Sequence, residues 1–195
     1  DTWVAQIEAG AGGDDWTFNS ETKRVEPGSD GLPEMVLAPM PPGGKSSDAN
    51  FQILNVGNGL DEEQIVLQVQ TGWTIGDLAD FAGELRFDGN PPTIECSAQV
   101  YDPTLEALLH AIGQKRIVPL YELHQGSGGD IGEVTLSRLV AVRVLAVDAS
   151  SGVPQITVQP TVVATRTALL SNETLTPEDA AELGNSYVYK ISLTN

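Results

Sequence analysis

The sequence predicts a mainly β protein: an antiparallel β-sandwich or barrel with one flanking α-helix at about 103–112 and a long Pro/Gly-rich loop. Three observations carry this. Segments rich in Val, Ile and Thr alternate polar and apolar positions at several places between residues 51 and 163. One segment alone has both helical spacing and well-formed ends. No heptad pattern, internal repeat or long apolar span competes with these signals.

Along the chain, residues 2–7 and 16–18 read as short strands around the Gly-rich turn AGAGGDD. Residues 20–50 contain Pro27, Pro33, Pro39, Pro41 and Pro42 and one apolar patch, Met35-Val36-Leu37. A structureless stretch of this length is uncommon inside a compact domain, so an extended loop or arm ordered by a partner is expected there. Residues 51–56 and 64–70 (FQILNV, QIVLQVQ) alternate as strands, the second after the turn GNGLDE. In 93–100 (TIECSAQV), Ile94, Cys96, Ala98 and Val100 share one face, a half-buried strand. Residues 116–124 form another, which Pro119 restricts to an edge or a bulge. The long alternating run 133–147, the turn DASSG, and strands at 155–163 and 186–193 complete two or three hairpins.

The helix at 103–112 places Leu105, Leu108, Leu109 and Ile112 at i, i+3, i+4 and i+7, as core residues. Asp102 is its expected N-cap, Pro103 its first position and Gly113 its stop. Shorter helices are expected at 177–183 and, weakened by Gly76, at 74–81.

A chain of 195 residues fits a single domain, 1–195, and buries roughly 70% of its unfolded surface without needing disulfides or metals. With 27 acidic and 10 basic side chains, its formal charge is −17. Clustered Lys and Arg are what phosphate contacts require, so specific nucleic-acid binding and docking on an anionic membrane are not expected. Residues 1–98 carry net −13 and residues 99–195 net −4, so the two halves present different surfaces. A hydrophobic content of 41% is too high for a disordered acidic tail. The first ten residues lack the basic and apolar regions of a signal peptide, and a start at Asp1 leaves a removed leader open.

Chemistry-bearing residues do not converge. GAGGDD lacks the Lys and Ser/Thr of a phosphate loop, and Asp14 and Asp15 lack calcium-loop spacing, so a solvated turn is the simpler reading. His110, His124 and Cys96 are scattered over a helix, a strand end and a strand, unlike a zinc site. Cys96 has no basic neighbour in sequence to lower its pKa and reads as a small buried hydrophobe. The pairs Glu62-Glu63 and Glu178-Asp179 fall at loop or helix starts, where acids favour the helix dipole. Asn172-Glu173-Thr174 matches a glycosylation sequon. No catalytic activity, cofactor or metal is expected. Trp3, Trp16 and Trp73 are candidate interface anchors along with Met35, Val36 and Leu37, since Trp is enriched at interfaces.

The layout of 93–160 is a strand, then Asp102-Pro103 and a helix with Leu105, Leu108, Leu109 and Gly113, then a strand, a long strand and a further strand. This order resembles the tail tube proteins of long-tailed bacteriophages and the related Hcp tube protein of type VI secretion. The resemblance covers about a third of the chain and is one of layout. It implies a virion structural protein made in the host cytoplasm and assembled into the tail. Its homohexameric rings would stack into a conduit for DNA, with itself and other virion proteins as partners. In that reading the 20–50 arm reaches the next ring, so deleting 28–47 would leave a folded monomer that cannot stack. A capsid decoration or other virion-surface protein, and a secreted β-barrel binding a small ligand or carbohydrate through its tryptophans, are the competing expectations.

Overall fold

The computed structural model describes residues 9–10, 12–39, 50–57, 59–87, 90–97, 99–123, 131–150, 153–165 and 188–190. The strands are β1 (Trp16–Asn19), β2 (Arg24–Pro27), β3 (Met35–Leu37), β4 (Ile53–Leu54), β5 (Thr93–Ser97), β6 (Lys115–Leu123), β7 (Ile131–Asp148), β8 (Gln155–Pro160), β9 (Val163–Thr165) and β10 (Val188–Lys190). Two α-helices accompany them, α1 (Glu62–Thr71) and α2 (Asp102–His110). The chain is mainly β and sandwich-like, as its alternation predicts, and no closed barrel forms among the described residues.

β7 organises the main sheet. Its 18 residues are long enough to take β6 along one edge and two shorter strands in series along the other. β5 pairs with the N-terminal end of β7 and β8 with its C-terminal end; β4 extends from β5 and β3 from β8, all antiparallel. The register slips between Leu120 and Tyr121 on β6 and between Val144 and Ala146 on β7, two irregularities that bend the long ladder. Pro119 sits on β6, paired with β7 alone and one residue from the slip at Leu120, as its missing N–H demands.

Alternation on β7 sends its even-numbered residues to one face. There Val140, Val142 and Val144 meet Ile156, Val158, Leu108 and Ala111, while Val134 and Leu136 meet Val56, Ile94 and Cys96. α2 covers the first cluster; Trp73, Leu78, Phe81, Leu85 and Phe87 pack against the second. On the opposite face Arg143 places its guanidinium carbon 3.5 Å from the Phe18 ring centroid of the β1–β2 hairpin. The same side chain donates to the Gly113 carbonyl at 2.6 Å. Gly113 has φ +82, and a Cβ there would lie 3.5 Å from Phe18, so the end of α2 and the hairpin share one tight corner. Arg143→Ala removes a stacked cation and a charged hydrogen bond together, an expected loss of about 2–3 kcal/mol in chemical denaturation. Arg143→Lys keeps the charge without the planar stack and should recover only part of it.

Several expectations are corrected here. Residues 64–70 are helical, within α1, and not a strand. Asp61 caps the helix by accepting from the Gln64 N–H, two acids follow in the first turn, and Gly72 ends it at φ +82. Ile65 and Gln68 face inward and Val69 packs on the first core cluster, a helical stripe hidden in what also reads as alternation. The 20–50 segment is not one long loop: it holds β2 and β3, and β3 is ordered by β8 of the same chain. Residues 74–81 form a turn and the short 3-10 helix Ala79–Phe81 instead of an α-helix. The expected strand 155–163 divides into β8 and β9, and β9 pairs with β10 in parallel.

The flanking helix stands where expected, but its buried stripe is displaced by one residue. Thr104, Ala107, Leu108 and Ala111 are buried, while Leu109 is 46% and Ile112 39% exposed; Leu105 is half-buried. The buried positions 104, 107 and 111 carry small side chains where α2 packs against α1 and the sheet, and only Leu108 of the expected core set is buried. Tyr101, not Asp102, is the residue before the first turn, with Asp102 inside it and Pro103 beside it. The strands and helix expected at 2–7, 177–183 and most of 186–193, with Trp3, His124 and Asn172, lie outside the described residues.

Candidate assembly surface

Hydrogen bonding and burial decide which of the singled-out side chains are free to meet a partner. Met35 and Leu37 pack against the first core cluster, whereas Val36, alternating outward from β3, is 47% exposed. Trp73 packs against the second cluster, and Trp16 is half-buried in β1. Of the five candidates among the described residues, Val36 alone is exposed, and the packing of the others does not gather them into one surface. Exposed apolar side chains the sequence did not single out include Ile75 in the turn after α1 and Leu67 on α1, and Leu109 and Ile112 of α2, expected in the core, are exposed as well.

β6 offers a backbone surface as well. Nine residues long, it pairs with β7 on one edge, and among the described residues no strand pairs with its other edge. Such an edge is a template for another strand.

Three polar arrangements sit behind these surfaces. The first is a buried network under α1. Gln68 Nε2 donates to Asn55 Oδ1 at 2.9 Å, to the Val56 carbonyl at 3.1 Å and to Asp77 Oδ1 at 3.1 Å, while its Oε1 accepts from the Val56 N–H at 3.2 Å. Two amide protons serve three acceptors, so one bond is shared. Asp77 also accepts from the Thr74 N–H and hydroxyl at 2.6 and 2.7 Å. Burial alone would raise the Asp77 carboxyl; the bonds from Thr74 and Gln68 outweigh it and hold the pKa below 3.8. Gly57 lets the loop cross directly over this turn, since a Cβ there would stand 2.1 Å from the Asp77 carbonyl oxygen. Sequence reading misses the network because Gln and Asn carry no charge signal. The one clue is a Gln on the inward stripe of a capped helix.

The second arrangement ties the N-terminal segment to itself. Glu34, 5% exposed, accepts from the Asp15 N–H at 3.0 Å and the Trp16 N–H at 2.6 Å, and its own N–H donates to the Gly13 carbonyl. Burial pushes its pKa above 4.5, and the charges of Asp15 and Asp14 add to that, against the pull of the two N–H bonds. The folded chain thus holds this proton more tightly than the unfolded one. The associated stability is complete below pH 4.5 and is lost as pH rises through the raised folded value. The melting-temperature advantage of Glu34→Gln over the parent should therefore grow from pH 4.5 to neutrality; an advantage that is flat or shrinking over that window would contradict the assignment. Nearby, Gln159 of β8 donates to the Asp30 carboxylate at 2.8 Å, a second anchor of the 20–50 segment to the sheet.

The third is a cleft between α1, α2 and the start of β6, lined by Gln70, Ala107, His110, Gln114 and Arg116, with a volume of about 220 Å³. Arg116 donates to the Lys115 carbonyl at 3.1 Å and the Gln70 carbonyl at 3.4 Å, both neutral, and its buried Nε has no hydrogen-bond partner. Burial lowers its pKa.

Reactive groups stay apart. Cys96 is buried among Val134, Leu136 and Ile94, and burial raises its thiol pKa, with Glu133 adding to the rise. His110 is exposed, with Glu106 4.0 Å away on the same helix. Among the described residues no three His, Cys, Asp or Glu side chains cluster as metal ligands, and no helix is long and apolar enough to cross a membrane. Comparison with protein-family models, curated proteins and solved structures finds no significant match to this chain.

Proposed function

We propose that this chain is a structural subunit that assembles with copies of itself, and specifically a tail tube subunit of a virion whose hexameric rings stack into a conduit for DNA. The observation that carries the reading is the order β5–α2–β6–β7–β8, built on one long strand with a helix on its flank and an edge of β6 that no strand pairs among the described residues. Strand addition between neighbours at such an edge would close it. The apolar side chains of α2 that the core leaves uncovered, Leu109 and Ile112, support a contact on the same flank. A charge of −17 per copy suits a lumen that repels phosphate and lets DNA slide. Of the tryptophans that the ligand-binding alternative names, Trp73 packs against the second core cluster and Trp16 is half-buried in β1.

The arm reading of 20–50 changes with the fold. Deleting 28–47 removes β3 from β8 and Asp30 from Gln159, so the expected result is a destabilised chain and not a folded monomer defective only in stacking. Negative-stain electron microscopy over a range of protein concentrations tests the proposal. Six-fold rings with a central hole, or tubes made from them, support it; uniform monomers at high concentration overturn it.

A further inference from the structure

The cleft between α1, α2 and β6 holds a cation without a counter-ion in a chain that has acids in large excess. Arg116 is one of 10 basic residues against 27 acidic ones, yet among the described residues no carboxylate pairs with it. Its two terminal nitrogens reach only main-chain carbonyls, and its Nε–H is covered by protein with nothing to donate to. Each terminal nitrogen has a second N–H beyond the one given to a carbonyl, and a guanidinium is matched in geometry by a carboxylate, which takes two parallel N–H bonds. The neighbouring lining groups are neutral amides, Gln70 and Gln114, and the exposed imidazole of His110, which leave room for an anion; Gln114 Nε2 is already committed to the His110 carbonyl at 2.8 Å. Glu106, a turn away on α2, lies beside His110 and is not among the lining residues.

We propose that this cleft is a carboxylate-binding socket with Arg116 as its cation, and that its occupant is an Asp or Glu side chain from a second copy of this chain. The choice of occupant rests on the assembly reading above. It follows from charge complementarity: a neighbouring copy carries 27 acidic side chains against 10 basic ones, and this is a cation that no described carboxylate of its own chain neutralises. Leu67, exposed and apolar, lies one turn before Gln70 on α1 and offers a further contact for the same neighbour.

Two measurements separate the socket from its occupant. In the first, the dispersed wild-type chain is titrated with sodium acetate at constant ionic strength, with sodium chloride as reference, while the Arg116 Nε–Hε resonance is followed by NMR. A saturable shift with acetate, absent with chloride, is expected. With the side-chain amide resonances of the lining residues Gln70 and Gln114 as the readout common to wild type and variants, Arg116→Gln should abolish the saturable shift, and Arg116→Lys, which keeps the charge but not the fork, should weaken the binding about tenfold. A response no different from that of chloride overturns the socket. In the second, sedimentation velocity compares wild type with Arg116→Gln, both checked for folding by circular dichroism. Loss of assembly in the variant, and dissolution of wild-type assemblies by saturating acetate, support a carboxylate from a second copy. A variant that assembles as well as wild type overturns that occupant. If wild type does not assemble at all, the occupant falls with the assembly reading, while the acetate titration still decides the socket.

Discussion

Leu108→Asp is expected to lose about 4 kcal/mol of folding stability in a urea titration, and Leu109→Asp less than about 0.5 kcal/mol. Helical spacing alone puts both leucines on the inner stripe and assigns each the same penalty, about 3–5 kcal/mol. The fold divides them. Leu108 lies among Val140, Val142, Ile156 and Val158, where a carboxylate finds no water and no hydrogen-bond donor. Leu109 turns away from the sheet and is 46% exposed, so an acid at that position stays hydrated. If α2 takes part in assembly, Leu109→Asp should instead lower the yield of rings while the chain remains folded. Equal destabilisation by the two variants would mean that the helix sits one residue round from where it is placed.

Gln68→Leu should cost about 3 kcal/mol although it replaces a polar residue by an apolar one in a buried place. The Val56 N–H and carbonyl, on a residue with no exposed surface, would both lose their side-chain partner. Asn55 and Asp77 would each lose an amide donor. The variant should also change the acid limb of the stability profile. Asp77 has a depressed pKa, so its contribution is present above pH 3.8 and disappears as pH falls through the folded value. Removing a donor brings the folded value closer to the unfolded one and flattens that limb. Thermal melts between pH 2 and 6 read it directly. A variant as stable as the parent would mean that the network is replaced by water.

Strand content and the placement of the flanking helix were legible because both leave periodic signals. Thr93–Ser97, 115–123 and the long β7 follow from alternation, and Pro119 marks its own strand as an edge. Where two periods fit one segment, alternation was the wrong guide. QIVLQVQ alternates, yet its ends carry the signature of a helix, Asp61-Glu62-Glu63 before it and Gly72 after it. The one-residue rotation of α2 was not legible because hydrophobicity favours Leu and Ile over Thr104 and Ala107, while close packing of two helices favours the smaller pair. Pairing of β3 with β8 was hidden for a different reason: nothing local in Met35-Val36-Leu37 names a partner so far along the chain. The Arg116 cleft also escaped reading, since it is made by three segments that meet only in the fold.

That distant pairing has a consequence for how the chain is made. β3 leaves the ribosome early and has no sheet to join until residues 156–158 of β8 have followed it out. Until then the Met35 and Leu37 side chains have no core to enter, and the outer edge of β8 is uncovered as soon as it forms. Synthesis therefore passes through an interval in which two complementary edges from the same or different nascent chains are both open. Exchange of β3 between copies is the competing product that folding must outrun, and Asp30, which precedes the segment and accepts from Gln159 of β8, favours its return to its own sheet, with Glu34 tying the same stretch to the Asp15 and Trp16 N–H groups.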